Sequence, residues 1–158
     1  MKEIVNEVHI VCKDESELSE SEHELLKEAQ AATWRSYAPY SNFSVGAAVM
    51  LSDGSIVTGN NQENCAFPSG LCAERTALFY ANSRYPDLAV EAICIAARGL
   101  DGEFTRVPIS PCGGCRQVML EVEHRFGRPL KVMMYGTDGV YILQSARDLL
   151  PVGFEELV

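Results

Sequence analysis

The chain has 158 residues, 47% of them hydrophobic, which is the size and apolar content of one domain with a single core. Its 13 basic and 22 acidic residues give a formal charge of −9, which argues against a nucleic acid polymer as partner, because affinity for phosphate chains comes from Lys and Arg displacing counterions. No apolar run reaches the ~18 positions of a membrane span and the first residues lack a signal-peptide core, so the expectation is a cytoplasmic protein, with its six cysteines serving as ligands or buried apolar side chains and not as disulfides.

Residues 3–12 alternate loosely (Ile4, Val8, Ile10, Cys12) and are readable as an edge strand ahead of the main sheet. Ser21-x-x-Glu24 reads as a capping box, and Leu25, Ala29, Ala32 and Thr33 then share one face at helical spacing, with Pro39 closing the segment. Val45–Leu51 and Ile56–Gly59 flank Asp53-Gly54, which predicts a hairpin. A helix follows from Cys72 to about Ser83. The run 92–97 lacks alternation, as a strand covered on both faces does. Val118, Met119, Val122 and Phe126 mark a helix over 115–126 that Gly127 and Pro129 end, and Asp138-Gly139 joins the last two strands, Leu130–Tyr135 and Val140–Leu143. The pattern predicts an α/β fold, a three-layer α/β/α sandwich around a five-stranded mixed sheet. Residues 1–20 form an amino-terminal extension to a single domain over 21–158.

The chemistry is concentrated in Cys72-Ala73-Glu74 and in Pro111-Cys112-Gly113-Gly114-Cys115-Arg116. Three thiols can hold a zinc ion on three sides, and a structural site would close the fourth position with another Cys or His, whereas a catalytic one leaves it to water or substrate. Both segments lie where a loop enters a helix, so unpaired backbone N–H groups and the positive end of the dipole favour thiolate. Three thiolates around Zn²⁺ leave a net negative site, and Arg75 and Arg116 are placed to offset it by donating to sulfur. Alone, Cys72 would read as a buried apolar thiol and Glu74 as an acid favoured by a helix dipole. Together with Pro-Cys-x-x-Cys they read as a reactive metal site.

At these residues the chain resembles cytidine deaminase, in its small form with three cysteine ligands. The similarity extends through Pro39-Tyr40-Ser41-Asn42-Phe43 and Asn61-Gln62-Glu63-Asn64 to Leu149-Leu150-Pro151 and Phe154. The resemblance implies one Zn²⁺ per subunit on Cys72, Cys112 and Cys115, and hydrolytic deamination of cytidine and 2′-deoxycytidine to the uridines in pyrimidine salvage. Glu74 then protonates the ring nitrogen and helps ammonia leave. It also implies that Asn61 and Glu63 bind the ribose 3′-hydroxyl, that Phe43 and Ala73 line the nucleoside site, and that Phe154 reaches the pyrimidine of a neighbouring subunit in a homotetramer. For Phe43 the plainer reading is core packing, and for Phe154 a tail residue on local apolar surface.

The loop 67–71 departs from the usual tyrosine-containing version, and its Pro68 and Gly70 resemble blasticidin S deaminase, so another aminopyrimidine compound is the alternative substrate. A non-catalytic zinc-stabilised binding module is the alternative class; it needs a fourth protein ligand, for which Cys65 is the nearest candidate in sequence. Cys12 and Cys94 carry no assigned chemistry, nor do His9, His23 and His124. His23 is expected on a solvated helix face, His124 at a helix C-terminus, and Trp34, Met133 and Met134 in the core or an interface.

Overall fold

The computed structural model describes residues 1–155. In chain order the elements are β1 (Val11–Lys13), α1 (Glu20–Ala32), β2 (Ser44–Leu51), β3 (Ile56–Asn60), α2 (Ala73–Arg84), β4 (Val90–Arg98), α3 (Gly113–Phe126), β5 (Lys131–Gly136) and β6 (Gly139–Leu143). They form one mixed sheet in the order β1-β6-β5-β4-β2-β3. Among the strand pairs of the described residues only β4–β5 is parallel, and α3 makes that crossover.

The sheet therefore has six strands, one more than the expected five. The extra strand is a remnant of the loose alternation in residues 3–12, reduced to Val11–Lys13 paired antiparallel with β6. Its side chains are mostly exposed, so it leaves no burial pattern to read in the sequence. Lys13 ties it down instead. The Lys13 ammonium lies 3.0 Å from Glu22 on α1, and Lys131 at the start of β5 lies 3.2 Å from the same carboxylate.

Glu22 also corrects the helix start. The capping box is Ser19 with Glu22, two residues before the expected Ser21 with Glu24: the Glu22 N–H donates to Ser19 Oγ and the Ser19 N–H donates to the Glu22 carboxylate. A buried carboxylate that serves both a cap and two lysines defines the turn better than an exposed Glu24 does. Burial opposes its charge, but the Ser19 N–H and then the two ammonium groups outweigh it and hold the Glu22 pKa at about 2.

Helices cover both sheet faces, as the unbroken apolar run predicts. Leu25, Leu26 and Ala29 of α1 pack on Ala48, Cys94, Met133 and Ile142. On the other face Ala77 and Leu78 of α2 and Met119 and Val122 of α3 pack on Val49, Ile93, Ile95 and Met134. Each large aliphatic side chain removed from water in this way contributes about 1.5–3 kcal/mol. Two glycines let the helices approach closely. A methyl on Gly46 would lie 2.7 Å from the Thr33 nitrogen after α1, and one on Gly59 would lie 2.7 Å from the Ala73 oxygen in α2. Gly127, with φ 60°, caps α3 in the left-handed conformation that glycine favours. Trp34 is not a core residue: it is 71% exposed, and its ring covers the Arg98 guanidinium at 3.5 Å. Met133 and Met134 are buried. Among the described residues, no helix is long and apolar enough to cross a membrane.

Candidate metal centre and substrate cavity

Cys72 and Cys112 are the N-cap residues of α2 and α3, both with extended backbone and neither with a side-chain capping bond from a backbone N–H of its helix. Their sulfurs are therefore free to face each other. Cys72 Sγ lies 3.8 Å from Cys112 Sγ, and Cys112 Sγ 3.5 Å from Cys115 Sγ. All three sulfurs lie within 4.8 Å of one another, and among the described residues no further His, Cys, Asp or Glu joins the group. Two corners of a tetrahedron with Zn–S bonds of ~2.3 Å are ~3.8 Å apart, so the donor set fits zinc in both chemistry and spacing. Cys65 is exposed and outside this cluster.

The three thiols differ in their hold on the proton. Cys72 is drawn down to about 5, chiefly by the Cys115 S–H and then by the Arg75 guanidinium, whose NH2 group lies 3.5 Å from its sulfur. Cys115 moves the other way, because it donates to the Cys72 sulfur and is buried. Arg75 is thus where the sequence places it. Arg116 is not: its Nε donates to the Pro111 oxygen (2.9 Å) and one terminal nitrogen donates to the Leu149 oxygen (3.1 Å). Although it directly follows Cys115, it joins the loop before α3 to the carboxy-terminal turn.

Glu74, in the first turn of α2, is only 5% exposed. Burial raises its pKa, and the negative charge of Cys72 raises it further.

Beside Cys72 opens a cavity of about 500 Å³, whose walls include Tyr40, Asn61, Glu63, Phe67, Leu71 and Arg75. The Asn61 amide spans the start of β2: Oδ1 accepts from the Val45 N–H and Nδ2 donates to the Phe43 oxygen, each at 2.9 Å. Glu63 accepts from the N–H groups of Tyr40 (2.9 Å) and Ser41 (3.2 Å) through one oxygen and from the Ser41 hydroxyl through the other. The hydroxyl, ahead of the two N–H groups, holds the carboxyl below its usual range. One lone pair of Oε1 and one hydrogen of Nδ2 remain for a ligand. Phe43 is half-buried and Ala73 buried, neither of them lining this cavity, while Phe154 is held on α3 by Gln117 and is 65% exposed. Tyr40, Phe67 and Arg75 as cavity walls had no signal in residue type alone. Tyr40 and Phe67 meet edge to face, with ring centroids 5.7 Å apart.

The family described as the cytidine and deoxycytidylate deaminase zinc-binding region matches residues 19–126. The chain belongs to this deaminase family. The cytidine deaminase of Halalkalibacterium halodurans is 47% identical over 98 residues, which cover 62% of this chain and 69% of that protein. A probable cytidine deaminase of Dictyostelium discoideum is 36% identical over 129 residues, covering 81% and 80%. The crystal structure of cytidine deaminase from Burkholderia pseudomallei superposes with a TM-score of 0.70 at 43% identity, over 84% of this chain and 98% of that one. In this deaminase family setting the three-cysteine cluster fits one Zn²⁺ per chain.

Proposed function

We propose that the chain catalyses the hydrolysis of cytidine and 2′-deoxycytidine to uridine and 2′-deoxyuridine, with release of ammonia. The observation that carries this is the sulfur triangle at two helix starts with a buried carboxyl, its pKa raised, two residues from its first member. Cys72, Cys112 and Cys115 would hold the zinc ion, which when bound would supply Lewis-acid activation of a water. Glu74 takes a proton from the attacking water, delivers it to the ring nitrogen beside C4, and later assists departure of the amine as ammonia. A carboxyl raised by burial toward the working pH suits transfers in both directions.

Asn61 and Glu63 each retain one hydrogen-bonding position toward the cavity, enough for a sugar hydroxyl, while the Glu63 charge disfavours a 5′-phosphate. Phe43 and Ala73, which do not line the cavity itself, are read from the family resemblance as further nucleoside contacts. Phe154 extends toward the pyrimidine of a neighbouring subunit, which makes the working form a homotetramer with shared sites. Residues 1–20 are read as an extension that adds β1 to the sheet edge and leads into α1 of one domain over 21–158, and the setting is cytoplasmic pyrimidine salvage.

Glu74→Gln preserves side-chain volume and removes the proton carrier. The zinc-loaded variant should keep one metal per chain and its fold while ammonia release from cytidine falls by at least ~10³-fold, since general acid–base groups contribute 10²–10⁴ per transfer. Turnover within tenfold of the parent would refute the role of Glu74. Parallel assays on cytidine and blasticidin S decide the substrate, and a metal-loaded parent that deaminates neither would leave only a zinc-stabilised binding module.

A further inference from the structure

The carboxy-terminal segment is held at three successive residues, two of them against α3. At Gly153 the backbone runs so close to Leu120 that a methyl group there would collide with the leucine Cδ2. At Phe154 both backbone polar groups are taken by one side chain: Gln117 Nε2 donates to the Phe154 oxygen (2.6 Å), and Gln117 Oε1 accepts from the Phe154 N–H (3.1 Å). At Glu155 the carboxylate pairs with Arg147 at 2.6 Å. Gln117 and Leu120 lie one turn apart on the same side of α3, so the segment runs along that side. The amide of Gln117 acts as a strand neighbour would, with one donor and one acceptor matched to one residue.

This fastening does not bury the aromatic ring. A tail residue retained for stability would turn its ring onto the core, yet Phe154 is 65% exposed while its backbone is fully paired. Two residues before Gln117, on the same helix, stands Cys115 of the metal centre. We propose that Gln117 is a positioning residue: it fixes the Phe154 backbone on the metal-bearing helix so that the ring projects at a set height and direction as a preformed wall of a substrate site. This rests on the reading that Phe154 contacts substrate across a subunit boundary. A ring held in advance loses little freedom on binding, so the benefit falls on substrate affinity and not on proton transfer.

The test is a double-variant cycle in the full-length, zinc-loaded protein, with Gln117→Met, which keeps the stem and removes both hydrogen bonds, and Phe154→Ala. Gln117→Met should raise KM for cytidine about threefold to tenfold, the range of one aromatic contact, with kcat within about twofold. It should also speed hydrogen exchange at the Phe154 amide while zinc content stays constant. In the Phe154→Ala background, Gln117→Met should change KM by less than about 1.5-fold, because its effect acts through the ring. Gln117→Glu, which keeps the acceptor and places a carboxylate against the Phe154 oxygen, should match Gln117→Met and serves in its place if that variant folds poorly. Additive effects in the double variant, or an unchanged KM on loss of Gln117 while Phe154→Ala raises it, would overturn the positioning role and leave Phe154 as a substrate contact. An unchanged KM in Phe154→Ala itself would remove the substrate contact and this proposal with it.

Discussion

Replacing Gly59 with alanine should loosen the metal centre without touching a ligand. A methyl at this position points from β3 into α2, where it would meet the Ala73 oxygen at 2.7 Å and the Ala77 Cα at 2.9 Å, with the Ala77 nitrogen nearer still. All three are backbone atoms of a hydrogen-bonded helix, so no side chain can rotate aside. Restoring an ordinary separation of about 3.5 Å requires α2 to recede by roughly 1 Å. The helix end that moves carries Cys72 and Glu74, whereas Cys112 and Cys115 stay with α3. Metal–ligand distances tolerate only about 0.2 Å, so the sulfur triangle is strained or opened.

The expected result has two parts. Overpacking costs about 1–3 kcal/mol, which for a domain of this size lowers Tm by about 2–12 °C. Zinc affinity, measured by chelator competition, falls about 10- to 100-fold, the scale of losing a ligand's supporting contacts. Gly46→Ala is the control, because its methyl would strike α1 on the opposite sheet face, beside the Thr33 nitrogen at 2.7 Å. It should lower Tm by a similar amount and leave zinc affinity within about threefold. A Gly59→Ala protein with parental zinc affinity, or a Gly46→Ala protein with equally weakened zinc, would refute the reasoning that β3 sets the position of the metal-bearing helix.

Arg75→Gln removes the guanidinium 3.5 Å from the Cys72 sulfur and should weaken zinc about 10- to 100-fold by the same competition assay, with helix content by circular dichroism unchanged. Glu22 titrates at about 2 in the folded chain against 4.5 for the free side chain, a depressed value, so its stabilisation is complete above pH 4.5 and is lost as pH falls from there toward 2. Denaturant titrations should show that loss as on the order of 2 kcal/mol, absent in Glu22→Gln. In zinc-loaded protein a thiol reagent should modify exposed Cys12 and Cys65 quickly and leave buried Cys94 untouched, since burial raises its thiol pKa; chelation should then release Cys72 and Cys112 to the reagent.

The metal centre was legible because its residues are rare, closely spaced in two short segments, and each placed at a helix start that backbone rules identify. The apolar run 92–97 likewise announced a strand covered on both faces. The partners of Arg116 were not legible, because adjacency to Cys115 along the chain says nothing about which direction a long side chain takes; it reaches Pro111 and Leu149. The register of the α1 cap was missed because Ser19-x-x-Glu22 and Ser21-x-x-Glu24 are equivalent as strings, and only Lys13 and Lys131, distant in sequence, select the first. The edge strand is legible in the loose alternation of residues 3–12, but its extent and its place in the sheet are not, because Val11–Lys13 is held by a ladder to β6 and one ion pair and not by burial. Gln117 carried one signal, its place two residues after a ligand on the same helix, but its partner Phe154 lies too far along the chain for spacing to connect them.

Cys72 and Glu74 stand two residues apart at one helix start and feel the same positive dipole end, yet their acidities move in opposite directions. The dipole therefore does not decide either. Cys72 is only half-buried and receives hydrogen bonds from the Cys115 thiol and Arg75, so its anion is matched by donors. Glu74 is buried, and the Cys72 charge raises its pKa further, while Arg75, which makes Cys72 a better metal ligand, partly opposes that rise. Arg75→Gln removes a positive charge that lowers the Glu74 pKa, so in zinc-loaded protein, where Cys72 stays a thiolate ligand, it should shift the acid limb of a Glu74-dependent rate toward higher pH, and an unmoved limb would refute this coupling.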